Sequence, residues 1–352
     1  MRRRAALLGG FAYATTRAHA QPKSDLRTQA HRAALYLRPL YEMYARRYAD
    51  AMESGHRINT LTRQPEPQDG MLVATAWLDL SQEPMFFTVP AMGERFYTAA
   101  FLDPFTDNFA HVSSRLSGAT PKPRMIVGPA WKGDAPMEVE VSHAPSTSVW
   151  LRVHIAFADG DDDDLAEAYR QLAALMLETP DQRNERRILE MRELMRYRTY
   201  APPEPVSDWP APKREERFDL FTVGLAMLGE CALRERDQAL LADLADLHLH
   251  PGHPFDLRAF GEAERAAIAQ GVADADAEIR EKGPALGKTI GGWHYPQSDL
   301  GAYGSDDLYR AYMATTNLGA PIPAEMLDLV RERDGVKARL YAPGPEVLAL
   351  LK

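Results

Sequence analysis

The sequence predicts an α+β protein in which an antiparallel β-sandwich or barrel lies between an N-terminal helix and a mainly helical C-terminal half. Three observations predict it. Residues 24–53 carry apolar side chains at helical spacing. From about 70 to 157, short runs rich in β-branched and aromatic residues are separated by Pro, Gly and Asp, the texture of strands and turns. Beyond a stretch with five prolines at Tyr200–Pro212, the apolar positions recur with helical period again.

The first twenty residues read as a removable export signal. Arg2, Arg3 and Arg4 precede a short apolar middle, and Ala18-His19-Ala20 supplies small residues two apart before Gln21-Pro22. The paired arginines and the weakly apolar, glycine-containing middle are similar to a twin-arginine signal, so a periplasmic or secreted location is expected by a Sec or twin-arginine-like route. Cleavage after Ala20 removes Arg2, Arg3, Arg4 and Arg17 and no acidic residue, deepening the formal charge of −9 by those four units. So acidic a chain is a poor candidate for phosphate-backbone binding, and no nucleic-acid partner is expected. No apolar run is long enough for a membrane span. The single cysteine, Cys231, excludes an internal disulfide and a cysteine-cluster metal site.

A helical arm is expected over 21–66. Leu26, Ala30, Ala33, Leu37, Leu40, Tyr41, Tyr44 and Tyr48 share one face, with Pro39 as a kink or interruption. The β domain, 67–158, contains expected strands at Met71–Trp77, Met85–Val89, Arg95–Phe101, Arg124–Val127, Met137–Val141 and Val149–Phe157. Helices follow over 159–199, the first opened by Asp161–Asp164 at its positive dipole end. A Pro-rich linker spans 200–214. In the C-terminal region, 215–352, helices are expected at Phe218–Arg234, Gln238–Leu247, Glu262–Glu281, Asp306–Thr316 and Ala324–Arg333.

Several stretches together resemble the domain-of-unknown-function 1254 family of bacterial proteins. They are Thr75-Ala76-Trp77-Leu78-Asp79-Leu80-Ser81, Glu83-Pro84, Val89-Pro90, Arg95-Phe96-Tyr97, Leu102-Asp103, Thr106-Asp107-Asn108-Phe109-Ala110 and Ile126-Val127-Gly128-Pro129-Ala130-Trp131. Gly292-Trp293, Gly301-Ala302-Tyr303-Gly304-Ser305-Asp306, Leu308 and Arg310-Ala311 add to the likeness, as does Tyr36-Leu37-Arg38-Pro39-Leu40. The resemblance implies a jelly-roll-like β domain with flanking helices, frequently exported, and names no reaction. Family members often continue into a second jelly roll, the companion 1214 family. The residues after Asp334-Gly335 are too few for it, so a separate jelly-roll partner protein, or none, is expected. Two positions depart from the family pattern. Gln68-Asp69-Gly70-Met71-Leu72-Val73 stands where the family has Asn-Xaa-Asp-Thr followed by Leu-Tyr, and His154 stands where it places an arginine.

The candidate site is the segment Arg95–His111. Asp103 and Asp107 flank Pro104 in a strand-ending loop, with Asn108 and His111 close behind, and such loops gather at the mouth of a sandwich. A carboxylate beside an imidazole can act as an acid/base pair, so Asp103, Asp107 and His111 are the candidate catalytic residues. Trp77, Arg95, Tyr97, Asn108 and Trp131 are the candidate ligand-binding residues. The same aspartates also read as turn formers, and the aromatics as core. Trp293, Tyr303 and Arg310 form a second, more structural candidate. The remaining motifs are weak. His248, His250 and His253 read as a solvated helix-ending loop. Asp159–Asp164 fails the EF-hand spacing, and Gly283–Thr289 fails the phosphate-loop spacing. No metal or cofactor is assigned. Two functions follow: a small-molecule-binding or assembly module, or a hydrolase or lyase using the Asp/His loop. The two departures favour the first.

Overall fold

A computed structural model describes residues 25–68, 70–195, 203–204, 206, 208–333 and 336–343. The expected export signal lies outside the described residues, as do residues 200–202, 205 and 207 of the Pro-rich linker. The protein is a mixed α+β chain with helices before and after the β region, and its strand pairings are antiparallel except that of Arg124–Val127 with Glu140–His143.

Helix α1 (Leu26–Tyr48) is capped by Asp25, whose side chain accepts from the Thr28 N–H at 2.8 Å, and it ends in a π-helical turn, Ala49–Glu53. It runs through Pro39 without interruption. One missing N–H is tolerated because the Ala30–Tyr44 face is buried against other helices. These are α5 (Asp219–Leu228) and α7 (Glu262–Lys282). The approach of α1 to α7 requires Gly271, where a Cβ would stand 2.2 Å from the Arg27 carbonyl oxygen. Arg27–Asp274 and His31–Glu278 line the rim of that contact, both at 2.6 Å.

The β region forms two sheets. The larger is built from β1 (Thr62–Arg63), β2 (Met71–Asp79), β4 (Tyr97–Leu102), β5 (Asn108–Ser113) and β8 (Ser148–Ala156), in the order β1-β2-β8-β4-β5. The smaller contains β3 (Met85–Thr88), β6 (Arg124–Val127), β7 (Glu140–His143) and β9 (Met176–Glu178), in the order β7-β6-β3-β9. Alternation sorts the side chains of the large sheet. Leu72, Ala74, Ala76, Leu78, Tyr97, Phe101, Leu151, Val153 and Ile155 share a core with Met85, Phe87 and Ile126 of the small sheet. Trp77, Ala100, Leu102 and Trp150 turn the other way, onto the helices. The central strands are therefore buried on both faces, which explains their near-continuous apolar character. β5, β1 and β9 were not among the expected strands.

Helix α2 (Ser114–Ser117) follows β5, and α3 (Asp162–Ala173) and α4 (Pro180–Met191) flank β9. Asp161 caps α3 through the Asp164 N–H at 3.0 Å. α5 stops at Leu228, short of the expected Arg234, because the chain turns to pair with the segment before β8: Thr147 donates to the Glu230 carbonyl at 2.8 Å and Ala232 to that of Pro145 at 2.7 Å. Cys231, expected on a helix, instead pairs with Ser146 in an isolated β-bridge.

Helices α6 (Glu235–Asp243) and α8 (Asp307–Thr316) complete the helical layer. The remainder corrects the expectation of a helical C-terminal region. A third sheet holds β10 (Lys288–Ile290), β11 (Trp293–Tyr295), β12 (Met326–Arg333) and β13 (Val336–Pro343) in that order. β12 occupies the expected helix Ala324–Arg333. Its short apolar run suits either period, and the long pairing with β13, from Met326↔Pro343 to Arg333↔Val336, settles it as a strand.

Candidate functional site

Strand register lays out the helix-facing side of the large sheet. Val73 pairs with His154, Thr75 with Arg152 and Trp77 with Trp150, while Ala100 joins Arg152 to His111 across β4. Trp77 and Trp150 stack with ring centroids 5.1 Å apart and planes 4° from parallel. The Trp150 Nε1 donates to Thr75 Oγ1 at 2.7 Å, and that hydroxyl donates to the Leu151 carbonyl at 3.0 Å.

Above this pair lies the π-helical turn that ends α1. Its Asp50, buried, accepts from Trp77 Nε1 at 2.9 Å through one oxygen and from Arg46 Nε at 2.9 Å through the other. Arg46 is thereby held over the Trp150 ring, its guanidinium carbon 5.5 Å from the centroid, with that of Arg152 at 5.1 Å. A π turn inside an α-helix is a common device for aiming a side chain at a site.

Arg46, Thr75, Trp150 and Arg152 line a cleft of about 560 Å³ between α1, the sheet and the end of α8, with Asp50 and Trp77 outside its lining. Its other polar walls are Glu42, Gln64, Gln68, Arg214, Thr315, Thr316 and Asn317. Arg214 holds the Glu42 carboxylate with both terminal nitrogens, at 2.7 and 3.1 Å. Gly319 closes the edge: its carbonyl accepts from Arg152, and a Cβ there would stand 2.4 Å from Trp150 Cζ3 at a backbone φ of +75°. Gly319→Ala is accordingly expected to push Trp150 aside and cost about 1–3 kcal/mol. Urea unfolding checks it, and an unchanged midpoint would contradict this packing.

Two other hollows differ in kind. One, of about 580 Å³, contains Arg47, which is committed to Glu230 through two bonds of 2.8 Å and to Ser148 at 2.6 Å. The other, of about 610 Å³, is lined by Leu286, Tyr295, Pro323 and Leu327, with Lys288 as its only charged residue.

The expected catalytic trio divides. Asp107 is held by Arg234 at 3.1 Å and Arg310 at 3.2 Å. Asp103 accepts from the Asp107 N–H at 3.0 Å, and burial, reinforced by the Asp107 charge, pushes its carboxyl up to about 7. These two aspartates share one buried cluster with Arg310, whose guanidinium also lies over Phe105 and Tyr303. His111 faces another way. Burial lowers it to about 4, opposed by Glu325, and its neighbour Arg115 also holds it down. Its Nε2 and the Glu325 Oε2 are buried without hydrogen-bond partners. None of the three lines the cleft.

The expected ligand-binding residues are spread over the molecule. Trp77 stacks on Trp150 and lines the other hollow, the one that contains Arg47. Arg95 clamps α3, gripping Asp164 at 2.7 and 2.9 Å and Gln171 at 2.6 Å. Tyr97 is buried between the sheets and donates to the Gly118 carbonyl at 2.9 Å. Asn108 ties β5 to the C-terminal segment, its N–H donating to the Gly301 carbonyl at 2.7 Å. Trp131 packs at the rim of the small sheet, 6.3 Å from His143. Trp293 stacks beneath Arg331 at 4.7 Å. Among the described residues, no three His, Cys, Asp or Glu side chains gather as a metal site, and no helix is long and apolar enough to cross a membrane.

The family model described as "Protein of unknown function (DUF1254)" matches residues 52–178. The match spans β1 to β9 and contains Gln64, Gln68, Val73, Thr75, Trp150 and Arg152 of the cleft, whereas Arg46 and Asn317 lie outside it. A crystal structure of the VPA0106 protein from Vibrio parahaemolyticus is similar, with a TM-score of 0.65 at 20% identity over 86% of this chain and 69% of that one. At that identity the likeness shows the fold alone. No curated protein matches the chain.

The sequence analysis did not single out Arg46, Trp150, Arg152 and Thr75, which line this candidate cleft. One signal was present: Trp150, Arg152 and His154 alternate along a strand whose intervening residues are all apolar. The departures from the family pattern fall on the same ground, since Gln68 and Val73 line the cleft and His154 pairs with Val73.

Proposed function

We propose that the chain is an exported ligand-binding module whose site is the cleft between α1 and the large sheet. The observation that carries this reading is the convergence of polar side chains from α1, β2, β8 and the end of α8 on one concave space of about 560 Å³. That volume suits a small molecule, and the stacked tryptophans with Asp50 preorganise its floor. The basic, then apolar, then small-residue N-terminus supports export to the periplasm. The shared core of the two sheets, together with the family resemblance, supports a jelly-roll-like sandwich. In this reading Asp103 and Asp107 anchor the helical layer to the β domain instead of performing chemistry. A separate jelly-roll partner remains compatible with the cleft.

The test compares native mass spectrometry of the wild-type protein and Thr315→Trp, both purified from a periplasmic extract. Thr315 is exposed at the cleft wall, so the indole fills the space without disturbing the core. A co-purified small molecule is expected on the wild type and absent from the variant. Equal occupancy in both would remove the cleft from consideration.

A further inference from the structure

We infer that the cleft recognises an anionic group, a carboxylate or a phosphate, on its ligand; this rests on the cleft being the binding site. Two guanidinium groups, Arg46 and Arg152, lie over one indole, 5.5 and 5.1 Å from the Trp150 centroid. Asp50 neutralises Arg46 from behind, and Arg214 occupies the Glu42 carboxylate. Around the cleft Arg46, Arg152 and Arg214 outnumber Glu42 and the Asp50 that holds Arg46, in a chain whose net charge is −9. A cationic cleft on an acidic protein focuses anions from solution.

The geometry of Arg46 adds a second argument. Its Nε is spent on Asp50, and that bond fixes the plane of the guanidinium. Its two terminal nitrogens make no hydrogen bond to the described residues, leaving a preset fork of donors half-exposed to the cleft. Such a fork matches the two oxygens of a carboxylate or phosphate. Gln64, Gln68 and Thr315 offer neutral partners for hydroxyl groups beside it.

The experiment titrates the full chain with glucuronate, inorganic phosphate, neutral glucose and choline, followed by tryptophan fluorescence and calorimetry. Glucuronate or phosphate is expected to bind, more weakly as salt rises. Arg46→Gln is expected to weaken that binding about tenfold or more, while Arg46→Lys, which keeps the charge and loses the fork, falls between. A response to glucuronate alone assigns a carboxylate, and one to phosphate alone assigns a phosphate. Glucose or choline binding as tightly as the anions, no binding of either anion, or an Arg46→Gln variant indistinguishable from wild type would each overturn the inference. Thr315→Trp separates the two levels. If it blocks a neutral ligand, the cleft stands and the anion class falls; if it leaves anion binding untouched, the cleft falls too.

Discussion

Replacing Asp107 with alanine is expected to destabilise the protein by about 3–5 kcal/mol, the range for removing one partner of a buried ion pair. Arg310 is only 1% exposed, and its Nη2 stands 3.2 Å from both Asp107 oxygens. Arg234 reaches the same carboxylate at 3.1 Å. Without it Arg310 keeps Asp307 at 3.2 Å, but two guanidinium groups packed over Phe105 lose their shared counter-ion. Asp107→Asn keeps an acceptor and is expected to cost less. Denaturant unfolding of both variants is the measurement, and an alanine variant within about 1 kcal/mol of wild type would refute the anchoring role. Because Asp107 lies in the DUF1254 region and both arginines lie beyond it, the alanine variant is also expected to unfold in less concerted fashion.

Asp103 gives an effect of opposite sign. Burial raises its carboxyl from 3.8 to about 7 in the folded chain. A carboxyl whose folded pKa is raised contributes fully below its unfolded pKa, and that stability is lost as pH climbs towards and through 7. Between pH 5 and pH 8 the wild type is therefore expected to lose about 2–3 kcal/mol through this group. Asp103→Asn retains the oxygen that accepts the Asp107 N–H and cannot ionise, so it should be the more stable protein at pH 8, with the difference shrinking at pH 5. Urea titrations at the two pH values decide the matter. An asparagine variant less stable than wild type at pH 8, or one with the same pH slope, would show that Asp103 is needed in its charged form.

Both effects arise in a loop whose residues were legible as chemistry-bearing but not as to their use. Asp103 and Asp107 stand four apart beside a proline, a spacing equally suited to an acid/base loop and to an anchor. Their partners, Arg234 and Arg310, are more than a hundred residues away, and no local pattern connects them. His111 illustrates the same limit. It is close to Asp107 in sequence, yet the pairing Ala100↔His111 carries it along β5 towards Glu325.

The β region was largely readable because its strands are defined locally. Arg124–Val127 forms as expected, and Met71, Met85 and Val149 each fall at or beside an observed strand end. The strands missed are short or carry mixed polarity, such as β5 with Asn108, His111 and Ser113. At the C terminus the error went the other way. Apolar residues in Met326–Arg333 satisfy a helical period on their own, and only the pairing partner Val336–Pro343 makes them a strand.

By itself the sequence determined the longer strands of the two sheets, the long N-terminal helix and the family resemblance, because alternation, helical spacing and turn residues act over a few positions. The tertiary structure alone decided the cleft proposed as the site. Thr75 and Trp150 meet through sheet register, Asp50 and Arg46 reach them through the π turn of α1, and Gly319 closes over both from the far end of the chain. Contacts between residues so widely separated depend on how complete elements pack, and packing is a property of the whole core.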